Sequence, residues 1–301
     1  MNILKNISCA ILCSVLLSGI GLAQSSGWIG TVAENVAPNY TGELRPAISA
    51  QLDRAGGISV DYAGNLITIH IHNYSYFPHV VAGDGWSTAF SFTNTGLTEA
   101  SGTLNFRDSQ GNPLPIAGQF NYASAIAHPM SVASSYSFII PPGESIYLSA
   151  RPVDESGGKK IGWAQLDSLG SIAGMVTYEH VVDEKTDCFF SAPQSSLLQV
   201  AAIPVDMDAD SGKRMVYSIV NPGTQNISVE MLLISQESVA VGDPILVKLG
   251  PGEQISKYLS PDQEHFRGLL VLHEQKGQSF LAFGMLEKQG LPTAIPLILF
   301  Q

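Results

Sequence analysis

The sequence predicts an all-β protein, in which two tandem antiparallel β-sandwiches follow an N-terminal β-hairpin segment. Three observations favour this fold class. The second half of the chain matches the first half, apolar and polar residues alternate in short runs that Gly and Pro interrupt, and no long helical periodicity follows residue 23. Alternation of this kind places one face of each strand on a core and the other face in solvent.

The composition excludes several other classes of protein. Of 301 residues, 29 are Gly and 17 are Pro, whereas 14% are charged and 45% are hydrophobic, which excludes a coiled coil and a disordered polyelectrolyte. The net charge of −11 provides no basic surface for nucleic acid. We therefore expect a globular protein with no nucleic-acid partner.

The first element, residues 1–23, has the pattern of a cleaved secretory signal. A single lysine precedes an apolar run over 7–17, and the small residues Gly21 and Ala23 precede a cleavage site before Gln24. No later run is long enough to cross a bilayer as a helix. The pattern predicts a secreted or periplasmic protein without a transmembrane span.

The second element, 24–75, contains a predicted hairpin, because apolar residues flank an Ala-Gly-Asn turn at 63–65. Four spaced groups of residues occur in order along this element: 31–33, 40–42, 50–52 and 57–66. Together they resemble one NHL repeat, which is a blade of a β-propeller. The chain departs from that family over 67–73 and no second blade follows, so the resemblance implies one blade-like hairpin and not a propeller.

The third and fourth elements, 76–198 and 199–301, are two copies of one pattern. The segment 82–96 aligns without a gap with 209–223, at an offset of 127 residues. Each copy has a strand, a turn, a second strand, a Pro-Gly turn and two further strands. This pattern predicts two immunoglobulin-like sandwiches.

The first copy carries an insert. The offset falls from 127 to 109 at a Pro-Gly-Glu turn that both copies share, so the first copy has 18 extra residues within 114–137. The insert contains Tyr122, His128 and Tyr136 among small residues. We interpret it as an extra hairpin or a packed surface loop, with a ligand-binding role as the alternative.

Several turn motifs of the two copies resemble those of a known kind of module. They are Gly85-Trp86-Ser87-Thr88, Asn94-Thr95-Gly96, the Pro-Gly-Glu turns and Phe266-Arg267-Gly268. These motifs are similar to those of tandem sandwich modules in large secreted bacterial proteins, which often follow NHL propellers. Because the motifs form turns, the resemblance implies a fold and a location but no catalytic activity.

Two groups of residues have metal-ligand chemistry, and we interpret both as ordinary surface. His70 and His72 share one strand face with Thr68, but two imidazoles do not complete a site. The acidic segment 206–210 resembles the start of an EF-hand loop, yet it lacks the Gly at the sixth position and the Glu at the twelfth. We predict a solvated acidic turn there, with a weak ion site as the alternative, and no metal or cofactor in the protein.

Cys188 is the one cysteine left after removal of the signal, so no internal disulfide is possible. The alignment of the two copies places it opposite Leu291. We therefore expect a small buried residue, with a reactive thiol or an intermolecular bridge as the alternative.

Local catalytic motifs are missing, since no G-x-S-x-G, H-E-x-x-H, P-loop or C-x-x-C occurs in the chain. We predict a secreted, non-enzymatic structural or adhesive module whose partner is an extracellular glycan or a cell-surface protein. One alternative is a glycan-binding module in which Trp86, Tyr122 or Tyr136 stacks on a sugar, with His128 as a further ligand-binding residue. The other is a secreted carbohydrate-active or metal-dependent hydrolase with its site in 114–137.

Overall fold

The structure is a computed structural model, and it describes residues 57–60, 66–69, 72–122, 129–154, 156–259 and 265–299. These residues form 21 β-strands, all of which pair in the antiparallel sense, and they contain no helix. The all-β prediction is confirmed. Within the same residues, no helix is present that could cross a membrane.

The N-terminal hairpin consists of β1 (Gly57–Val60) and β2 (Leu66–Ile69), which pair in the antiparallel sense as predicted. The predicted signal, residues 1–23, and the first three NHL-like groups lie outside the described residues. The hairpin belongs to one compact unit that ends at His70, and all later strands belong to a second unit.

Ten strands build the first sandwich: β3 (His72–Ala82), β4 (Trp86–Asn94), β5 (Ala100–Asp108), β6 (Ile116–Tyr122), β7 (Ser131–Ala133), β8 (Ser135–Ile140), β9 (Ser145–Arg151), β10 (Lys160–Leu169), β11 (Ile172–Val182) and β12 (Lys185–Pro193). One sheet has the order β3-β10-β5-β8, and the other has the order β12-β11-β4-β9-β6-β7. The first strand begins at His72, slightly before the predicted boundary at residue 76.

The core of the first sandwich lies between these two sheets. Every second side chain of β4 and β5 is buried, as the alternation of the sequence predicts. Aromatic rings fill much of the space. Phe77 packs edge-to-face on Phe90 with ring centroids 5.1 Å apart, and Phe92 stacks on Phe138 at 5.0 Å.

The insert of the first copy forms an extra hairpin. Strand β6 pairs with β7 and also with β9, so the hairpin widens the six-stranded sheet at its edge. The interpretation of 114–137 as an extra hairpin therefore agrees with the structure.

Nine strands build the second sandwich: β13 (Val200–Asp208), β14 (Lys213–Val220), β15 (Ile227–Ser235), β16 (Ala240–Leu249), β17 (Gln254–Tyr258), β18 (His265–Glu274), β19 (Leu281–Lys288), β20 (Leu291–Ile295) and β21 (Ile298–Leu299). One layer has the order β16-β15-β18-β13 and the other has the order β20-β19-β14-β17. A single residue pair between β13 and β14, Asp208 with Lys213, joins them.

The eight strands that the two sandwiches have in common follow the same order. In the first sandwich the layers are β8-β5-β10-β3 and β12-β11-β4-β9, and the second has the corresponding strands in the corresponding places. The pairs β4–β9 and β5–β10 match the central B–E and C–F pairs of the immunoglobulin fold. The outer strands differ, because β3 and β4 lie in opposite sheets whereas the first two immunoglobulin strands share one.

Candidate functional site

The two sandwiches meet at a buried junction. Tyr76 and Trp163 of the first sandwich form one buried apolar cluster with Val220 and Leu281 of the second. Phe283, on β19 of the second sandwich, packs into the core of the first. Because large apolar side chains are buried between them, the sandwiches form one packed body rather than two domains joined by a free linker.

Hydrogen bonds to backbone carbonyls tie the junction together. The amide Nε2 of Gln254 donates to the carbonyl of Pro78 at 2.8 Å and to that of Gly162 at 3.0 Å. The indole Nε1 of Trp163 donates to the carbonyl of Gly252 at 2.9 Å. These bonds satisfy the N–H groups of both side chains and three backbone carbonyls, whereas the Oε1 of Gln254 is buried and has no hydrogen-bond partner within the described residues.

Two glycines allow the backbones to approach closely beside these bonds. Gly111 and Gly252 have φ of +84° and +75°, and a Cβ on Gly252 would lie 3.0 Å from the Cα of Gly111. A side chain at either position would push the two sandwiches apart. Glycine is therefore required at these positions for two reasons. The backbone has a positive φ, and a Cβ would collide with the backbone of the opposite sandwich.

A cavity of about 120 Å³ lies between the sandwiches, next to this junction. The first sandwich lines it with His79, Trp86 and Lys159, among others, and the second with Ser256, Lys257 and Tyr258, among others. Its walls are largely apolar and aromatic, with a few polar groups. Ligand sites of proteins commonly have this composition and lie at the contact between two domains.

His79 is a buried titratable group of the cavity wall. Its ring lies parallel to that of Phe283, with centroids 5.4 Å apart, and its Nδ1 is 3.2 Å from the Oγ of Ser218. Burial, together with the smaller effect of the charge of Lys159, lowers the pKa of His79 to about 4. The imidazole is therefore neutral at neutral pH.

Trp86 is the predicted ligand-binding residue that lines this cavity. Its indole stacks on the ring of His180, with centroids 4.5 Å apart and planes inclined by 22°. The imidazole of His180 is held in turn by Asp187 at 3.3 Å. One face of the indole is thus covered by protein, and the ring is only partly exposed.

The structure places Tyr136 inside the first core instead of on the surface. Its side chain is only 5% exposed, and its hydroxyl lies 2.8 Å from the carbonyl of Ile116 and 2.7 Å from that of Ser131. Its ring also lies where a Cβ on Gly118 would be. Tyr136 therefore fastens the extra hairpin and has no free ring face for a sugar.

The remaining predicted candidates do not join Trp86. The backbone of Tyr122 ends β6, but its side chain and the whole of His128 lie outside the described residues. Trp86 and Tyr136 lie in different places, one at the cavity and one in the core. The described part of the chain therefore does not bring the four predicted residues into one site.

The three aspartates of the acidic segment 206–210 form ion pairs with basic side chains. Asp206 accepts hydrogen bonds from Lys213 at 2.6 Å and from Arg267 at 3.0 Å, and these contacts lower its pKa. Asp208 lies 3.0 Å from the Nδ1 of His265, which sequence reasoning did not single out. Asp208, Asp210 and His265 each have one ligand atom within 4.8 Å of the other two. Carboxylate and imidazole groups are common ligands of metal cations.

Two other predicted residues are also accounted for. His72 binds Asp167 at 2.7 Å on the exposed face of β3, whereas His70 lies outside the described residues. Cys188 is buried, which confirms the expectation from the alignment, and burial raises the pKa of its thiol. A buried thiol with a raised pKa is a poor nucleophile.

Comparisons with known proteins provide no further guide to this site. The chain matches no protein-family model, and no curated protein and no solved structure matches it.

Sequence reasoning missed the junction and its cavity. The residues that form them come from both copies and are far apart in the chain, for example Pro78 and Gln254. The glycine beside Trp163 would not have located the junction. The backbone that approaches Gly162 most closely is that of Arg107, which belongs to the same sandwich.

Proposed function

We propose that this chain is a secreted, non-enzymatic structural or adhesive module whose two sandwiches act as one stiff unit. The observation that carries the proposal is the buried junction of Tyr76, Trp163, Val220 and Leu281. A module that transmits force or holds a fixed spacing at the cell exterior gains from such a contact, because domains joined by free linkers move independently. Export rests on the signal pattern of residues 1–23.

The outer face of one sheet supports an adhesive role. A groove crosses β3, β10, β5 and β8, with a volume of about 500 Å³, and three hydroxyl side chains, those of Ser101, Thr103 and Ser137, are among its lining residues. Thr103 and Ser137 form a cross-strand hydroxyl pair at 3.0 Å, and Asp167 lies beside them with His72. Hydroxyl, carboxylate and imidazole groups on a rigid sheet provide the hydrogen bonds that an extracellular glycan or a cell-surface protein requires.

We further propose that the two sandwiches are tandem copies of one immunoglobulin-like module, as found in secreted bacterial proteins, after a single NHL-like hairpin. The support is the common strand order of the two sandwiches and a pair of buried asparagines. Asn94 and Asn221 close the same turn in the two copies, and each accepts a hydrogen bond from a glycine two residues later.

The stiffness can be tested in solution with the chain 24–301. Residual dipolar couplings from the two sandwiches should fit one alignment tensor, because the junction prevents independent tumbling. Two clearly different tensors would contradict the proposal.

The adhesive role needs a separate test on immobilised glycans and on cell surfaces. We expect Asp167→Asn to weaken any binding and Trp86→Ala to leave it unchanged. The opposite result would favour the glycan-binding alternative based on Trp86.

A further inference from the structure

We propose that the cavity between the two sandwiches binds a small carboxylate whose apolar body is about the size of one benzene ring. The cavity is the one lined by His79, Trp86, Lys159, Ser256 and Lys257, among others. This ligand site is independent of the structural role proposed above.

The walls set the nature and size of the apolar body. Trp86, Tyr178 and Phe190 line the cavity from the first sandwich, and Val216 and Met285 line it from the second. The volume of about 120 Å³ is a little smaller than that of an engineered apolar cavity of about 150 Å³ that takes up benzene. A flat ring or a short branched chain therefore matches the space, whereas a long lipid chain exceeds it.

Two lysines set the charge of the ligand. Lys159 comes from the first sandwich and Lys257 from the second, and both line the cavity. Within the described ranges, neither ammonium group forms an ion pair. The carboxylate of Glu287, which accepts the hydroxyl of Tyr258 at the same cavity, is already paired with Arg214.

Both lysines contribute a positive charge to the lining of one largely apolar cavity, so an anion bound there can form charge-assisted hydrogen bonds with each of them. The protein has only 15 Lys and Arg residues against 26 Asp and Glu, so such an arrangement does not follow from an excess of cations. A ligand with both a ring and a carboxylate would satisfy the walls and the lysines together.

A hydroxyl group is available to orient the carboxylate. Ser218 donates a hydrogen bond to the Oγ of Ser256 at 2.9 Å, which leaves the hydrogen of Ser256 for a ligand in the cavity. The neighbouring His79 adds no positive charge at neutral pH, because burial keeps its pKa near 4. The two ammonium groups and one hydroxyl are therefore the groups that recognise the anion.

The test uses benzoate as the probe and the full chain, with binding measured by calorimetry. Saturable benzoate binding is expected, with chemical-shift changes at the indole N–H of Trp86 and the methyl of Met285. Three control compounds should each bind at least about tenfold more weakly than benzoate. Acetate and inorganic phosphate lack the ring, and benzyl alcohol lacks the charge.

Variants then separate the lysines from general charge. Lys159→Met and Lys257→Met should each weaken benzoate binding about tenfold, because each removes a charge-assisted contact. Lys160→Met is the matched control. It removes the same charge one residue away at a position that does not line the cavity, and it should leave binding unchanged. Ile161→Phe, which fills the cavity, should abolish binding.

Three results would overturn the proposal. The first is the absence of saturable benzoate binding. The second is an equal loss of benzoate affinity in Lys160→Met and Lys159→Met. The third is a set of chemical-shift changes on benzoate addition that does not include Trp86 and Met285. If Ile161→Phe does not fold, the benzoate affinities of the three lysine variants still test the proposal.

Discussion

The same Pro-Gly-Glu turn occurs once in each sandwich, and its surroundings differ completely. Gly143 and Gly252 have nearly the same φ, +73° and +75°. A Cβ on Gly143 would meet open space, whereas a Cβ on Gly252 would meet the backbone of Gly111. Local sequence therefore determines the turn, and the opposite sandwich determines whether the turn is a free surface or part of the junction.

A buried asparagine stands behind each of these turns. The Nδ2 of Asn94 donates to the carbonyls of Thr98 and Ile140, and that of Asn221 donates to the carbonyls of Gln225 and Gly250. Each side chain thus joins its own turn to the Pro-Gly turn. This hydrogen-bonding arrangement is the same in both copies. Substitutions of these asparagines therefore provide a reference for substitutions that affect the junction in one copy alone.

Removal of the asparagines should have the largest effect and should test the similarity of the copies. We expect Asn94→Ala and Asn221→Ala to lower the free energy of unfolding by about 4 kcal/mol each, because several buried backbone groups lose their partners. Urea unfolding measures this. Asn94→Asp places a carboxylate oxygen against the carbonyls of Thr98 and Ile140, so near neutral pH it should destabilise the protein at least as much as Asn94→Ala. Very different losses at the two positions would show that the turns are not equivalent.

The glycines should separate the junction from the turn. Gly143→Ala is expected to cost about 1 kcal/mol, because alanine is strained at positive φ. Gly252→Ala carries the same strain and also forces the sandwiches apart, so about 3 kcal/mol is expected. Thermal and urea unfolding of this matched pair measure the difference. Equal costs would mean that the contact with Gly111 contributes nothing.

His79 should make the junction sensitive to acid. Its pKa is about 4 in the folded protein and about 6.5 when unfolded, so the unfolded chain binds the proton more tightly between these values. Stability is therefore complete above pH 6.5 and falls as the pH drops toward 4, by about 2 kcal/mol between pH 7.5 and 5. His79→Asn should flatten this part of the pH profile. An unchanged slope in that variant would show that His79 titrates normally.

Much of the fold was predictable because it depends on local patterns. The alternation along β4 and β5 predicts which side chains are buried, and the turn residues and the change of offset predict the extra hairpin of β6 and β7. Which strands become neighbours was less predictable. Alternation identifies a buried face but not a partner, so the position of β3 and β4 in opposite sheets could not be derived from it.

The candidate site was far less predictable, for a physical reason. Trp86 was predicted as a sugar-stacking residue, but the groups that complete its cavity, such as Lys257 and Tyr258, come from the other sandwich. Tyr136 was predicted as a sugar-stacking residue of the insert. Its hydroxyl finds three backbone partners inside the protein instead, which makes burial of the ring favourable.

The first hairpin of each sandwich provides the last and smallest test. In the first sandwich, Asp84 accepts a hydrogen bond from the backbone of Lys159 at 3.0 Å, whereas in the second Asp208 holds His265. Calcium at the second hairpin would have to displace His265 from Asp208, and Asp206 is already paired with two cations. A ligand at 100 times its Kd stabilises a protein by about 2.7 kcal/mol, so even moderate affinity would be visible. We expect the melting temperature to change by less than about 1 °C between chelator and millimolar calcium. A rise of several degrees that Asp208→Ala abolishes, and that Asp84→Ala leaves intact, would instead establish a cation site in the second sandwich alone.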